Sequence, residues 1–159
     1  MMVRFENLVL TIWVGCLLAI GYIAAPVLFS ALDDRMLAGN LAGHMFTIVG
    51  IVGLACGLVL LAVQFIKEGK LATRQWRFWV LVFMMLLVAL SQFIIQPIMA
   101  DLKLQGLEPG SDVSKEFGRM HGISSSLYML TSIAGVALAW AGMNSNSPRV
   151  KSLSDVHQL

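Results

Sequence analysis

The charged residues of this chain leave four long gaps. Segments 7–32, 36–66, 78–100 and 120–148 contain no Asp, Glu, Lys or Arg. They are 26, 31, 23 and 29 residues long, so all 20 charges sit in the other 50 positions. About 20 apolar residues carry a helix across the hydrocarbon core of a bilayer, and each gap exceeds that. Inside the core no water is present to bond free peptide groups, so each gap must be helical. The pattern excludes a soluble globular enzyme, a disordered chain and a secreted disulfide scaffold. It predicts an all-α fold of four antiparallel transmembrane helices in one bundle.

The remaining bulk features narrow the partners. A net charge of +2 is too small to imply a nucleic-acid partner, which leaves the lipid bilayer and a homo-oligomer or membrane partner. Cys16 and Cys56 lie in different apolar segments with no C-x-x-C motif, as packing residues do. The first gap is too long for the apolar core of a secretion signal, and Val27, Leu28 and Phe29 continue it beyond Pro26, so it is expected to stay in the membrane.

The punctuation between gaps sets the helices at about 8–31, 37–66, 76–104 and 112–142 within a single domain, 1–143. Pro26 and Pro97 fall inside helices 1 and 3, where each should disturb the last turns. Gly69 is placed to end helix 2, Thr73 to cap helix 3, and Ser111 or Asp112 to cap helix 4. The Ser- and Asn-rich tail, 144–159, is expected to be disordered.

Orientation follows from the basic residues. Arg4, Lys67, Lys70, Arg74, Arg77, Arg149 and Lys151 lie on one side; Arg35, Lys103, Lys115 and Arg119 lie on the other. The richer side stays in the cytoplasm, which puts both termini there. Trp13, Trp76, Trp79 and Trp140 fall toward that same side, as an interfacial belt would.

Helices in lipid associate through close contact that small residues permit. Gly39, Gly43, Gly50, Gly53 and Gly57 form one stripe of helix 2, and with Pro26 and Pro97 they are the expected packing positions. Polar groups within spans need partners or a function. Asn40, His44 and Thr47 share a face of helix 2; Gln92 and Gln96 share one of helix 3; His121, Ser125 and Tyr128 share one of helix 4. With Asp101 and Arg119, most of these gather toward the extracytoplasmic side, and the cytoplasmic half shows no comparable set. Two readings of His121 stand. It is a hydrogen-bonded bridge to helix 3, or it ligates a metal or haem with His44 or Met99 as a second ligand. Arg119 and Asp101 are placed to pair at the mouth. Phosphate-binding, nucleophile-elbow, zinc-protease and dinucleotide fingerprints are all absent from the sequence, so no catalytic residue is assigned.

Two motifs resemble a known family. Pro26 to Leu32, followed by Ala38, Gly39 and Phe46, resembles the opening of the bacterial domain-of-unknown-function 4149 proteins. Phe117, Arg119, His121, Gly122, Ser124 and Ser125 fit that family's F-x-R-x-H-G-x-S-S signature. The family is similar to the eukaryotic transmembrane protein 205. The resemblance implies a four-helix membrane protein. Its eukaryotic relative is associated with platinum-drug resistance and vesicle traffic, and copper-resistance proteins and a haem-pathway oxidase stand further off. His121 belongs to the shared pattern and His44 does not, which shifts weight to His121 with Arg119.

Three functions follow as expectations. The first is a non-enzymatic protein of the bacterial inner membrane that handles or senses a metal or small solute at a periplasm-facing polar site. The second is a haem- or redox-linked membrane protein or enzyme with His121 as ligand, haem or copper being the cofactors considered. The third is a structural subunit packing through its glycine stripe. Cysteines introduced at Gly69 and Gly110 test the orientation. In cells with a permeabilised outer membrane, an impermeant thiol reagent should label Gly110→Cys and spare Gly69→Cys; the reverse pattern would invert the topology.

Overall fold

The computed structural model describes residues 2–144. The disordered tail expected from Asn144 onward therefore falls, beyond that residue, outside the described part. Four long helices make up the fold: α1 (Met2–Ala31), α2 (Arg35–Glu68), α3 (Trp76–Leu104) and α4 (Asp112–Asn144). Each is long and apolar enough to cross a membrane. They pack as an antiparallel square in which α1 touches α2 and α4, and α3 touches α2 and α4. Ile23, Ile48, Leu58, Leu86 and Phe93 all stand exposed around the outside, each more than half uncovered. A soluble monomer does not carry such an apolar belt, and lipid covers it at no cost.

The helix ends are set by local chemistry. Asp34 caps α2, its Oδ1 accepting from the N–H groups of Met36 and Leu37 at 2.8 and 3.1 Å. Gly69 ends α2 at φ 55°, and the chain continues as a short 3₁₀ segment, Gly69–Arg74. Ser111 caps α4 by accepting from Ser114 N–H. Thr73 does not cap α3. Its hydroxyl donates to Lys70 O within the connection, and α3 begins after Gln75 without a side-chain cap. α1 begins at Met2, ahead of the expected start, because Glu6 is held by Lys67 of α2 at 3.0 Å.

Both prolines are accommodated in the same way. A proline inside a helix lacks an N–H and presses on the carbonyl four residues earlier. In α1 the turn ahead of Pro26 widens into a π segment, Ile20–Ala24, and Ala25 N–H reaches back to Ile20 O. In α3 the turn ahead of Pro97 does the same over Ser91–Ile95, with Gln96 N–H bonded to Ser91 O. Such π turns recur at functional sites.

The two helical hairpins repeat one another. Leu10, Trp13 and Leu17 of α1 are buried as Leu81, Met84 and Val88 of α3 are. Gly57 of α2 faces Met85 and Trp13, while Gly135 of α4 faces Val14 and Met84. The tandem hairpins are thus related by an approximate two-fold axis along the bundle, the parallel type of membrane repeat. Trp13 consequently lies at the centre of the core, wholly buried, and not in an interfacial belt. Trp76, Trp79 and Trp140 are exposed.

The glycine stripe of α2 splits by depth. A side chain on Gly53 would run into the indole of Trp13, and one on Gly57 into Met85. Gly39 and Gly43 meet only Phe29 and the Lys103 amine, at 3.9 and 3.7 Å. Overpacking costs about 1–3 kcal/mol, so Gly53→Leu should lower the melting temperature in detergent. Gly15→Leu, built where nothing lies within 4 Å, should leave it unchanged. Equal melting of the two variants would remove Gly53 from the packing.

Candidate functional site

Polar side chains from three helices converge in the half of the bundle remote from the termini. Gln92 lies in the π segment of α3 and extends into the gap left by Gly50 of α2. Its amide donates to Phe46 O at 2.9 Å and to Thr47 O at 3.4 Å. Tyr128 of α4 extends across the axis against Gly21, and its hydroxyl donates to Leu17 O at 2.6 Å. The Phe46 ring meets Tyr128 edge to face at 4.9 Å. Gln92 and Tyr128 thus tie α3 to α2 and α4 to α1 at one depth. The repeat explains the geometry. The second hairpin carries bulky polar residues, Gln92 and Tyr128, at the places where the first has Gly21 and Gly50.

Beside this cross-brace is a cavity of about 250 Å³ lined by all four helices. Its polar wall includes Ser91, Gln92, Gln96, Ser124, Ser125 and Tyr128, with Tyr22 on the α1 side. Leu17, Val49, Leu87 and Val88 make the apolar wall, and no Asp, Glu, Lys, Arg or His lines it. Ser91 and Ser124 approach to 3.5 Å across α3 and α4. Among the described residues, the side chains of Gln96 and Ser125 have no hydrogen-bond partner in the protein, so both are free to meet a guest.

The other expected site residues lie outside this cavity. His121 is exposed and stacks on Phe117 of its own helix, centroids 6.3 Å apart. No hydrogen bond joins it to α3 among the described residues. Arg119 does not pair with Asp101. It reaches Glu116 one turn back at 3.4 Å, and Asp101 accepts from Gln105 at 2.9 Å. Neighbours three or four residues apart on one helix supply the nearer partner in both cases. His44 is exposed, its Nδ1 3.0 Å from Asn40 O, while Met99 is buried. Among the described residues no three His, Cys, Asp or Glu side chains gather where a metal could sit. None of His121, His44 and Met99 lines the cavity.

Two clusters escaped the sequence reading. Lys103 donates to Asn40 Oδ1 at 3.0 Å and to Gly39 O at 3.5 Å, and its amine lies 5.8 Å from the Phe117 ring centre. It fastens α2, α3 and α4 together at the far end, with a cation over an aromatic face. Its position one turn beyond Met99 was the available signal. At the terminal end, Glu6 and Lys67 form a half-buried pair beside Gln64 and Arg77. Gln64 Oε1 and Arg77 Nε are buried there without protein partners among the described residues. The terminal half thus does hold a polar cluster, packed with little space around it.

Four helices, each long and apolar enough to cross a membrane and packed into one bundle, define an integral membrane protein of the multi-span helical class. The chain belongs to the family described as domain of unknown function DUF4149, whose model matches residues 8–108. The match covers most of α1, all of α2 and α3, and ends before the Phe117-to-Ser125 motif. No curated protein and no solved structure matches the chain.

Interhelical hydrogen bonds in membranes contribute about 0.6 kcal/mol on average and up to about 1.7. Tyr128→Phe should therefore cost about 1 kcal/mol in detergent unfolding. Gln92→Leu should cost more, since it also strips the side-chain donor from Phe46 O and Thr47 O. Gln96→Leu should cost little. A Gln96→Leu variant less stable than Gln92→Leu would overturn this assignment of the brace.

Proposed function

We propose that this protein binds a small, neutral, hydrogen-bonding solute in the cavity between Gln92, Gln96, Ser91, Ser124 and Ser125. The observation that carries the reading is a largely apolar cavity edged by amide and hydroxyl groups, with no charged side chain in its wall. An ion held at that depth without a countercharge loses several kcal/mol of hydration. A neutral solute exchanges water contacts for amide and hydroxyl contacts at little cost. Handling or sensing of such a solute fits the site better than metal handling, because the expected ligands His121, His44 and Met99 lie outside its wall.

The proposed setting is the bacterial inner membrane with both termini in the cytoplasm, from the distribution of Lys and Arg. The cavity then belongs to the periplasmic half. Kinship with the eukaryotic transmembrane protein 205, resting on the motif that starts at Phe117, is part of the same proposal.

The test is retention. Protein purified in mild detergent is extracted with solvent and the extract analysed by mass spectrometry. Wild type should release a neutral organic molecule in stoichiometric amount. Gln96→Leu, which removes an amide without a protein hydrogen bond among the described residues, should fold normally and release none. Identical extracts from both proteins would end the reading.

A further inference from the structure

We infer that the occupant of this cavity enters sideways from the bilayer, between the outer halves of α1 and α4, and is a lipid-soluble amphiphile with a compact oxygen-bearing head. This rests on the solute-binding reading and adds the route and the chemical class.

One face of α4 carries Gly118, His121, Ser125, Tyr128, Ser132 and Gly135. Its deeper half is covered by α1. Gly135 meets Val14, Tyr128 reaches Leu17 O, and Ser132 is 2% exposed. Its outer half is not covered. Gly118, His121 and Ser125 are exposed, and nothing lies within 4 Å of a side chain built on Gly118 or Gly122. The cause is the π segment before Pro26. Beyond it, Ala25–Ala31 packs on α2, with Phe29 beside Gly39, and makes no comparable approach to α4. The bundle is closed around the core and splayed above it.

The cavity reaches this gap. Its wall includes Tyr22 of α1 and Ser125 and Met129 of α4, all exposed, together with the enclosed Gln92 and Val88. The lips lie within the charge-free segments 7–32 and 120–148, so they sit at bilayer depth. A solute arriving through them is dissolved in lipid first. Its head meets the unpartnered Gln96 amide and Ser125 hydroxyl; its apolar remainder stays against Tyr22 and Met129. The uncharged wall favours a carbonyl or hydroxyl head over a phosphate or an ammonium.

The experiment uses the full chain in phosphatidylcholine vesicles with 3-trifluoromethyl-3-phenyldiazirine, a photoreactive probe that resides among acyl chains. Light should attach it at Ser91 or Gln92 themselves, sites resolved from the exposed Phe93 and Ile94 by fragment-ion sequencing, as well as at outward residues such as Ile23. Ser125→Trp, which plugs the lips, should abolish cavity labelling. Ser126→Trp, exposed one position round the helix and outside the wall, should preserve it. Tyr22→Ala, which widens the opposite lip, should raise it severalfold and serves if Ser125→Trp fails to fold. Labelling confined to outward residues, or unaffected by both lip variants, would overturn the route. Equal labelling by a water-soluble diazirine would overturn it in favour of aqueous entry. Disulfide dimers through Ser125→Cys, on a Cys16→Ala, Cys56→Ala background, with an unlabelled cavity would show a second copy over the gap and overturn it too. Retention of a molecule by wild type with the route disproved leaves solute binding standing; labelling through the lips with nothing retained removes solute binding instead.

Discussion

A backbone polar group within a bilayer must find its partner inside the protein, and two prolines in the spans make that demand acute. Each proline removes one helical hydrogen bond, and each is answered by one widened turn. The cross-brace is built around those turns. Gln92 is part of one, and Tyr128 bonds to Leu17 O at the threshold of the other. Each of the two donors is directed at a main-chain carbonyl on a different helix. The brace therefore holds the bundle together where small-residue contact gives way to the cavity.

That division organises the molecule along its length. In the terminal half, Trp13 and Met84 fill the axis, and glycines on α2 and α4 admit them. The Glu6–Lys67 pair closes that end with Gln64 and Arg77 beneath it. In the far half α1 draws away from α4, and Lys103 restrains α2, α3 and α4 through Asn40 and Phe117. Among the described residues no such fastening joins α1 to α4 at that end, where the splay falls.

The spans were legible in the sequence because charge is so costly in lipid that its absence marks each crossing. The packing role of Gly53 and Gly57 was legible because a helical stripe of small residues has few other uses in a membrane. Trp13 was misread because sequence position gives depth along a helix and not the face; buried against Gly53, it looks in one dimension like its interfacial counterparts. Gln92, Gln96 and Ser125 were legible as polar groups needing an explanation. Their cavity was not, because it depends on Gly21 and Gly50 lying opposite bulkier residues across the axis. The Arg119–Asp101 pair was expected from shared depth, but partners on the same helix were nearer. Lys103 was counted as a loop charge, though its long stem lets the amine return to α2.

The repeat has a consequence for how such a protein can change over evolutionary time. A doubled hairpin starts with the same residue on both sides of its axis. Gln92→Gly would leave the gap beside Gly50 unfilled, and Gly21→Gln would run into Tyr128. In this chain the second hairpin carries the polar groups, and the first has the room to receive them. New chemistry can then arise by altering the second copy at Gln92, Gln96, Ser124 or Ser125 while Gly21 and Gly50 stay fixed. Substitutions at this depth of the bundle should therefore be tolerated more readily on α3 and α4 than at Gly21 and Gly50, where an added side chain meets Tyr128 or Gln92.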